Sequence, residues 1–257
     1  LEKVDLVISM GGDGTFNEIV SGNLERKEPL IISHIPVGTT NDIGVMFGYG
    51  KDIKNNLKLL LKGCVKEMDI CLINNQPFVY VAGFGKFMQV PYLTPRKLKK
   101  KYGYIAYIIE GIKDYFSPTK LYKITYEVNG ITKTGYYSFI LISNANRIAG
   151  INNFYRDVKL DDDKFEVLLC NFNRRKDIIK TFSLLMTIDA TKVSGVEFYK
   201  TNNMKIEFEE YPKYSWCIDG EKLNRANLKY EIKNINKVKI MLPTKNINKI
   251  FVNKKID

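Results

Sequence analysis

Two hydrophobic rhythms divide the chain. Up to about residue 70, short apolar runs rich in β-branched residues alternate with amphipathic stretches, the mark of βα units around a parallel sheet. Val4-Asp5-Leu6-Val7-Ile8-Ser9-Met10 and Pro29-Leu30-Ile31-Ile32-Ser33-His34-Ile35 read as buried strands. A helix is expected from Thr15, with Thr15 as cap and Glu18, three residues on, as its capping-box partner. Residues 52–63 predict another helix: Ile53, Leu57, Leu60 and Leu61 share one face, Lys54, Lys58 and Lys62 another, and Gly63 stops it. Leu1 enters almost directly into a strand that should lie inside a sheet. The expectation is therefore of a truncated α/β domain whose earlier βα units are missing.

From about residue 70 the period changes to that of strands. Cys71-Leu72-Ile73 and Phe78-Val79-Tyr80-Val81-Ala82 flank Asn74-Asn75-Gln76-Pro77 as a hairpin, and Leu121 to Val128 and Ile131 to Ser143 flank Asn129-Gly130, the strongest short hairpin signal. Phe165 to Cys170, Lys205 to Phe208, Leu228 to Ile232 and Val238 to Leu242 continue the strands. One helix interrupts them at about 96–116, with Ile105, Ile108, Ile109, Ile112 and Tyr115 as its apolar stripe; a second, at 174–188, carries Ile178, Phe182 and Leu185 on one face. The fold class expected is α/β plus β: an α/β domain with a parallel sheet at 1–68 and a larger, mostly antiparallel β-sandwich at 69–242.

Composition adds bounds. At 257 residues, 45% hydrophobic and 26% charged, the chain can bury a real core. No run approaches the roughly 20 apolar residues that span a bilayer, and no signal peptide is visible. Cys64, Cys71, Cys170 and Cys217 are scattered without metal-ligand spacing and read as reduced core residues of a cytoplasmic protein. Lysine and arginine number 40 against 28 aspartate and glutamate, a net +12. Such a surface attracts polyanions, whether nucleic acid, nucleotide phosphates or an anionic membrane face, although lysine also serves plain solvation. Without a zinc-finger, RRM or KH signature, nucleic acid is not the expected partner. The only histidine, His34, sits in an apolar strand before Pro36 and reads as a packed side chain.

Four stretches carry candidate chemistry. Gly11-Gly12-Asp13-Gly14-Thr15 follows a strand and opens a helix, an arrangement that turns bare N–H groups toward an anion, usually phosphate; the plain alternative is a turn shaped for packing. Asp13 beside a phosphate needs a bridging Mg²⁺ or proton. Pro36-Val37-Gly38-Thr39-Thr40-Asn41-Asp42 ends the next strand, and both loops fall at carboxyl ends of strands, where open α/β sheets bind ligands. Asp69 lies between Met68 and Ile70 as either a loop residue or a paired functional carboxylate. In Ser215-Trp216-Cys217-Ile218-Asp219-Gly220-Glu221, Asp219 and Glu221 project from the same face if the segment is extended. They need a cation, a proton or a donor hydroxyl to coexist, unless this is only an exposed acidic turn. Lys97, Lys99, Lys100 and Lys101 crowd the start of the 96–116 helix, against its macrodipole, as a membrane or phosphate contact or as a solvated basic end.

GGDGTFNEIVSG at 11–22, PVGTTNDIG at 36–44, the aspartate of MDI at 69 and WCIDGE at 216–221 stand in one order along the chain. With them the chain resembles the diacylglycerol kinase catalytic-domain family, which includes bacterial diacylglycerol kinases, related bacterial lipid kinases and sphingosine kinases. GGDGT is shared with NAD kinases, so a soluble nucleotide kinase and a catalytically silent lipid- or nucleotide-binding module are the rivals. The resemblance implies an ATP- and Mg²⁺-dependent transfer of the γ-phosphate to a lipid alcohol such as diacylglycerol. It implies that Gly11, Gly12, Asp13, Gly14, Thr15, Asn17 and Glu18, with Gly38, Thr39, Thr40 and Asn41, hold ATP. Asp13, Asp42 and Asp69 would form a Mg²⁺-linked cluster, and Glu221, partnered by Asp219, would take the hydroxyl proton. A structural Mg²⁺ is implied at Asp162 with main-chain oxygens of Lys159 and Lys164, where Asp163 stands in place of the usual glycine. The family's Asn-Pro phosphate-contacting turn is absent from this chain. The implied fold returns residues 243–257 to the first domain, a peripheral attachment to an anionic membrane from the cytoplasm is expected, and a homodimer is compatible with it.

Overall fold

The computed structural model describes residues 4–155, 157–171, 174, 176–178, 196–224 and 226–252. The chain runs through β1 (Leu6–Gly11), α1 (Asp13–Leu24), β2 (Ile31–Pro36), α2 (Asp42–Met46), α3 (Ile53–Leu61), β3 (Cys64–Ile73), β4 (Gln76–Phe78) and β5 (Val81–Gly85). Three helices follow, α4 (Val90–Leu93), α5 (Arg96–Tyr102) and α6 (Tyr104–Phe116). Then come β6 (Tyr122–Val128), β7 (Ile131–Tyr137), β8 (Phe139–Ser143), β9 (Arg147–Ile148), β10 (Ile151–Asn152) and β11 (Phe165–Cys170). The last described elements are β12 (Val196–Thr201), β13 (Asn203–Phe208), β14 (Cys217–Ile218), β15 (Glu221–Lys222), β16 (Lys229–Leu242) and α7 (Ile247–Ile250).

One large sheet has the order β1-β2-β16-β13-β6-β7, with β3 against β16 and β4 against β3. β1 and β2 are parallel, Leu6 opposite Ile31 through Gly11 opposite Pro36, and β2 is parallel to the end of β16 at Ile240. The 14-residue β16 also runs antiparallel to β13 and to β3. The parallel corner and the antiparallel region are thus one continuous sheet, and the division expected at 68/69 falls inside β3. A second sheet, β12-β11-β8-β5-β14-β15, is antiparallel and packs on the first. Along β11 the side chains alternate between two cores: Phe165, Val167 and Leu169 point between the sheets, Leu168 and Cys170 to the other side. Each buried side chain of this size stabilises the fold by about 1.5–3 kcal/mol. Ile247, Ile250 and Phe251 are buried in the same core as Phe16, Val20 and Ile32, so α7 packs back on the first βα units. All four cysteines are buried thiols.

Several expectations are corrected. α1 starts at Asp13, behind an extended Gly12, with no side-chain cap; Thr15 lies exposed in the first turn, so no capping box forms. Among the described residues β1 stands at the edge of its sheet, and Ile8 and Met10 are exposed. α3 is capped by Asp52, yet Ile53, Leu57 and Leu61 face outward. The cause is Asn56, buried because it exchanges two 2.9 Å hydrogen bonds with the backbone of Gly50, which turns Leu60 inward with it. The 96–116 helix is two helices, broken at Gly103 (φ +54°, ψ −129°), a conformation for glycine. Ile105, Ile108, Ile109 and Ile112 are exposed by 45–58% instead of buried.

The hairpin after Ile73 closes over Asn74 and Asn75 with Gln76–Phe78, whereas Val81–Gly85 joins the other sheet. The run 131–143 breaks at Ser138, where the chain changes sheets, and the strands expected at 228–232 and 238–242 are one strand with a bulge between Asn234 and Asn236. β12 was not expected. Of the 174–188 helix only 174 and 176–178 lie among the described residues, and Ile178 is buried as expected.

Candidate active site

A cavity of about 760 Å³ opens between the glycine-rich loops, α4–α6 and the second sheet. Its polar end is lined by Gly12, Asp13, Gly14, Thr39, Thr40 and Asp42 from the first loops and by Asp219, Gly220 and Glu221 from the β14–β15 turn. Its apolar end is built from Phe139, Leu141, Leu168 and Cys170 on the sheet, with Ile108 and Ile112 of α6 above. The residues expected to bind phosphate and those expected to do proton chemistry therefore line one cavity, although Asp13 and Glu221 are 208 positions apart in the chain.

The two loops meet at Gly38. A Cβ on Gly38 would lie 2.6 Å from the Cα of Gly12, so the second loop tolerates no side chain there, whereas a Cβ on Gly12 would make an ordinary 3.5 Å contact. Asn41, itself left-handed (φ +54°), ties the second loop by accepting from Gly38 N at 2.7 Å and donating to Gly38 O at 2.8 Å. Gly11, Gly38 and Asn41 shape the loops without lining the cavity, and Thr15 and Glu18 are exposed outside its wall. Asp13 stands at the start of α1 and accepts from Asp42 N (3.1 Å) and Ile43 N (3.0 Å), capping α2 as well. Burial, then the charges of Asp42 and Asp219, push its carboxyl up to about 6 despite those hydrogen bonds. Asp42, also raised by burial, pairs with Arg147 Nε at 2.9 Å and accepts from Gly150 N at 3.1 Å. Arg147 was not anticipated; an arginine in a lysine-dominated chain, followed by an Ala-Gly turn, was its only trace.

Asp219 and Glu221 do not share a strand face. Asp219 (φ +46°) and Gly220 (φ +92°) form a two-residue hairpin loop, the Asp-Gly counterpart of the Asn-Gly turn at 129–130. Asp219 is buried, and its carboxylate accepts from Val79 N (2.6 Å), Tyr80 N (3.1 Å), Val81 N (2.9 Å) and Asn17 Nδ2. Asn17 thus acts on Asp219, as a link between α1 and the turn. With four donors filling its lone pairs, Asp219 anchors the turn, while Glu221 is exposed and lines the cavity.

Asp69 is set apart. It is buried in β3 and does not line the cavity; Asp163 N donates to it at 2.7 Å and Lys237 Nζ lies 3.6 Å away. It joins the turn at 161–163, because the register of β3 against β16 turns its side chain there. Burial raises it to about 6. At that turn Lys200 Nζ lies 2.7 Å from Asp162 and 3.2 Å from Glu166, and Lys237 Nζ lies 2.9 Å from Asp163. Lys159 Nζ donates to the Lys249 carbonyl, and Lys164 N to Asp162. Two ammonium groups supply the charge a structural Mg²⁺ would bring, so the expected site at Lys159, Asp162 and Lys164 does not fit the ion.

Among the described residues no three Asp, Glu, His or Cys converge as a ready metal cage. Asp13 and Asp42 nonetheless fit Mg²⁺ when phosphate and water oxygens complete its shell, since the ion takes one or two carboxylates plus substrate phosphates. The raised carboxyl of Asp13, crowded by like charge, is the observation that favours a cation there. His34 is a packed residue, as expected: wholly buried, 3.2 Å from Ser9 Oγ and beside the Phe16 ring. No helix among the described residues is long and apolar enough to cross a membrane.

A family model described as the diacylglycerol kinase catalytic domain matches residues 1–73. The diacylglycerol kinase of Bacillus subtilis (strain 168) is 29% identical over 224 residues, covering 86% of this chain and 72% of that protein. The diacylglycerol kinase of Staphylococcus aureus (strain NCTC 8325 / PS 47) is 30% identical over 220 residues, covering 86% and 69%. The fold is similar to the crystal structure of a diacylglycerol kinase from Bacillus anthracis str. Sterne, with a TM-score of 0.75 at 23% identity over 93% of this chain and 78% of that one.

Proposed function

The chain belongs to the diacylglycerol kinase family, a family of lipid kinases, and from that premise we propose that it transfers the γ-phosphate of ATP to the hydroxyl of a diacylglycerol-like lipid. The observation that supports this reading is the cavity itself, which joins glycine-rich phosphate loops and a free glutamate at one end to an apolar chamber at the other. A soluble acceptor such as NAD has no use for that chamber.

The start of α1, with the N–H groups of Gly12 and Gly14, and Thr39 and Thr40 opposite, holds the triphosphate. Asp13 and Asp42 would hold Mg²⁺, which when bound neutralises charge on the β- and γ-phosphates. The acyl part of the acceptor lies against Phe139, Leu141 and Leu168, so that its hydroxyl reaches Glu221. Glu221 takes the hydroxyl proton as the lipid O–P bond forms and the bond from the γ-phosphorus to the bridging oxygen breaks, releasing ADP. Asp219 fixes the turn that carries Glu221 and exchanges no proton. Outside the cavity, Ile105, Ile109 and Phe116 form an exposed apolar face on α6 next to Lys97 and Lys101 of α5. Its chemistry suits a reversible contact with an anionic bilayer, from the cytoplasmic side.

The test is transfer of labelled phosphate to diacylglycerol in mixed micelles, with NAD as the competing acceptor. Glu221→Gln is expected to lower kcat by about 10²–10⁴-fold while Mg·ATP binding changes little. Phosphorylation of NAD alone, or nucleotide binding with no transfer to any lipid alcohol, would refute the reading.

A further inference from the structure

We propose that Lys99 is the phosphate-binding cation of this cavity, the side chain that holds the transferring phosphoryl group from the lipid side. The proposal rests on the kinase reading above and assigns a residue within it. The cavity wall carries four carboxylates, Asp13, Asp42, Asp219 and Glu221, and, among the described residues, one basic side chain, Lys99. Arg147 is engaged by Asp42 outside that wall. Among the described residues, Lys99 is therefore the cation on the wall that a triphosphate entering between Asp13 and Glu221 meets.

The position follows from helix geometry. Lys97 and Lys101, four residues apart, share the exposed face of α5, and Lys99, two residues from each, falls on the opposite side and is half-buried. The row of lysines that looks uniform in sequence thus has two faces. α5 is seated against the phosphate loops at its far end, where a Cβ on Gly103 would lie 3.9 Å from Thr39 Cγ2. The Lys99 ammonium stands 5.5 Å from the centre of the Tyr107 ring, and Tyr107 also lines the cavity. The Tyr107 hydroxyl is pushed up first by burial and then by the charges of Asp13 and Glu221, so the ring lies within reach of both carboxylates. The aromatic face thereby parks the ammonium between the triphosphate loop and the proton acceptor.

Phosphoryl transfer spreads negative charge over the oxygens of the moving group, and a preorganised cation in a partly dry cavity acts on that charge more strongly than in water. Lys99 donates hydrogen bonds to the phosphoryl oxygens while Glu221 accepts the hydroxyl proton.

The experiment compares initial rates on diacylglycerol in neutral-detergent micelles with cosedimentation on phosphatidylglycerol vesicles. Lys99→Met is expected to lower kcat about 100-fold with the KM for lipid changed less than about threefold, the size of effect seen when one preorganised donor is removed. Lys99→Arg, which keeps the charge, recovers about tenfold of that loss. Lys205→Met, on the outer face of the sandwich, leaves kcat unchanged, and urea midpoints of all variants match the wild type. Vesicle affinity falls no more in Lys99→Met than in Lys97→Met. Wild-type kcat in Lys99→Met, or in Lys99→Gln if the methionine variant unfolds, overturns the proposal and leaves the kinase reading standing; so does a defect confined to vesicle binding. A wild-type chain that transfers no phosphate to any lipid alcohol overturns the kinase reading and this proposal together.

Discussion

Asp219→Asn separates an anchor from a proton carrier. In the wild type one carboxylate oxygen receives Val79 N and Asn17 Nδ2, the other Tyr80 N and Val81 N. An asparagine offers one acceptor oxygen and one NH₂, so in either orientation two donors face the NH₂. Two hydrogen bonds are lost, leaving two buried N–H groups unpaired at about 1–3 kcal/mol each. The neutral side chain no longer carries a buried charge, whose cost shows in the upward displacement of the Asp219 carboxyl by burial; this offsets part of the loss. The net expectation is destabilisation by about 2–4 kcal/mol, a large share of the roughly 5–15 kcal/mol by which domains are stable. Urea unfolding followed by tryptophan fluorescence reads it directly, because Trp216 is buried three residues before the turn. The midpoint should fall with little change in slope. Glu221 lies two residues beyond Asp219, so kcat of the folded variant should also fall, by at least about tenfold. A stability change below about 0.5 kcal/mol together with lost turnover would refute the anchor and return Asp219 to the chemistry.

Gly38→Ala forces its new Cβ to within 2.6 Å of Gly12 Cα; nucleotide affinity by calorimetry should drop at least about tenfold, and an unchanged affinity would mean that the two loops do not meet as described. His34 is held at about 4 by burial against an ordinary 6.5. The unfolded chain therefore takes up that proton first as pH falls, so the stability from the neutral ring is present above 6.5 and is lost between 6.5 and 4, on the order of 3 kcal/mol in all. His34→Leu should flatten this part of the pH–stability curve, and parallel curves for the two proteins would contradict it. Replacing Ile105 and Ile109 with serine removes two half-exposed side chains from the outer face of α6; vesicle affinity should weaken about 10–30-fold with micelle kcat retained, and unchanged cosedimentation would remove that face from the membrane contact.

What could be seen in the sequence was whatever is decided locally. The strand–glycine–helix turn at 11–15, the Gly38–Asp42 loop and the Asn129-Gly130 hairpin are short-range chemistry, and each is present, although α1 begins two residues before the expected Thr15. The path of a strand between sheets is not local. Nothing in the strand-like run 131–143 marks Ser138 as a crossing point, and nothing in 228–242 announces one strand spanning both regions. Asp69 illustrates the same limit, since its direction depends on the register of β3 against β16. The exposed stripe of α3 shows a polar residue, Asn56, overruling an apolar pattern because its two hydrogen bonds require burial. Asp219-Gly220 was legible in principle: the dipeptide rule that identified the Asn-Gly turn applies equally to Asp-Gly.

The long ladder of β16 has a mechanical consequence. A single strand hydrogen-bonded to β2, β3 and β13 works as a splint between the glycine-rich loops and the sandwich. Swinging one half away from the other would mean unzipping that splint.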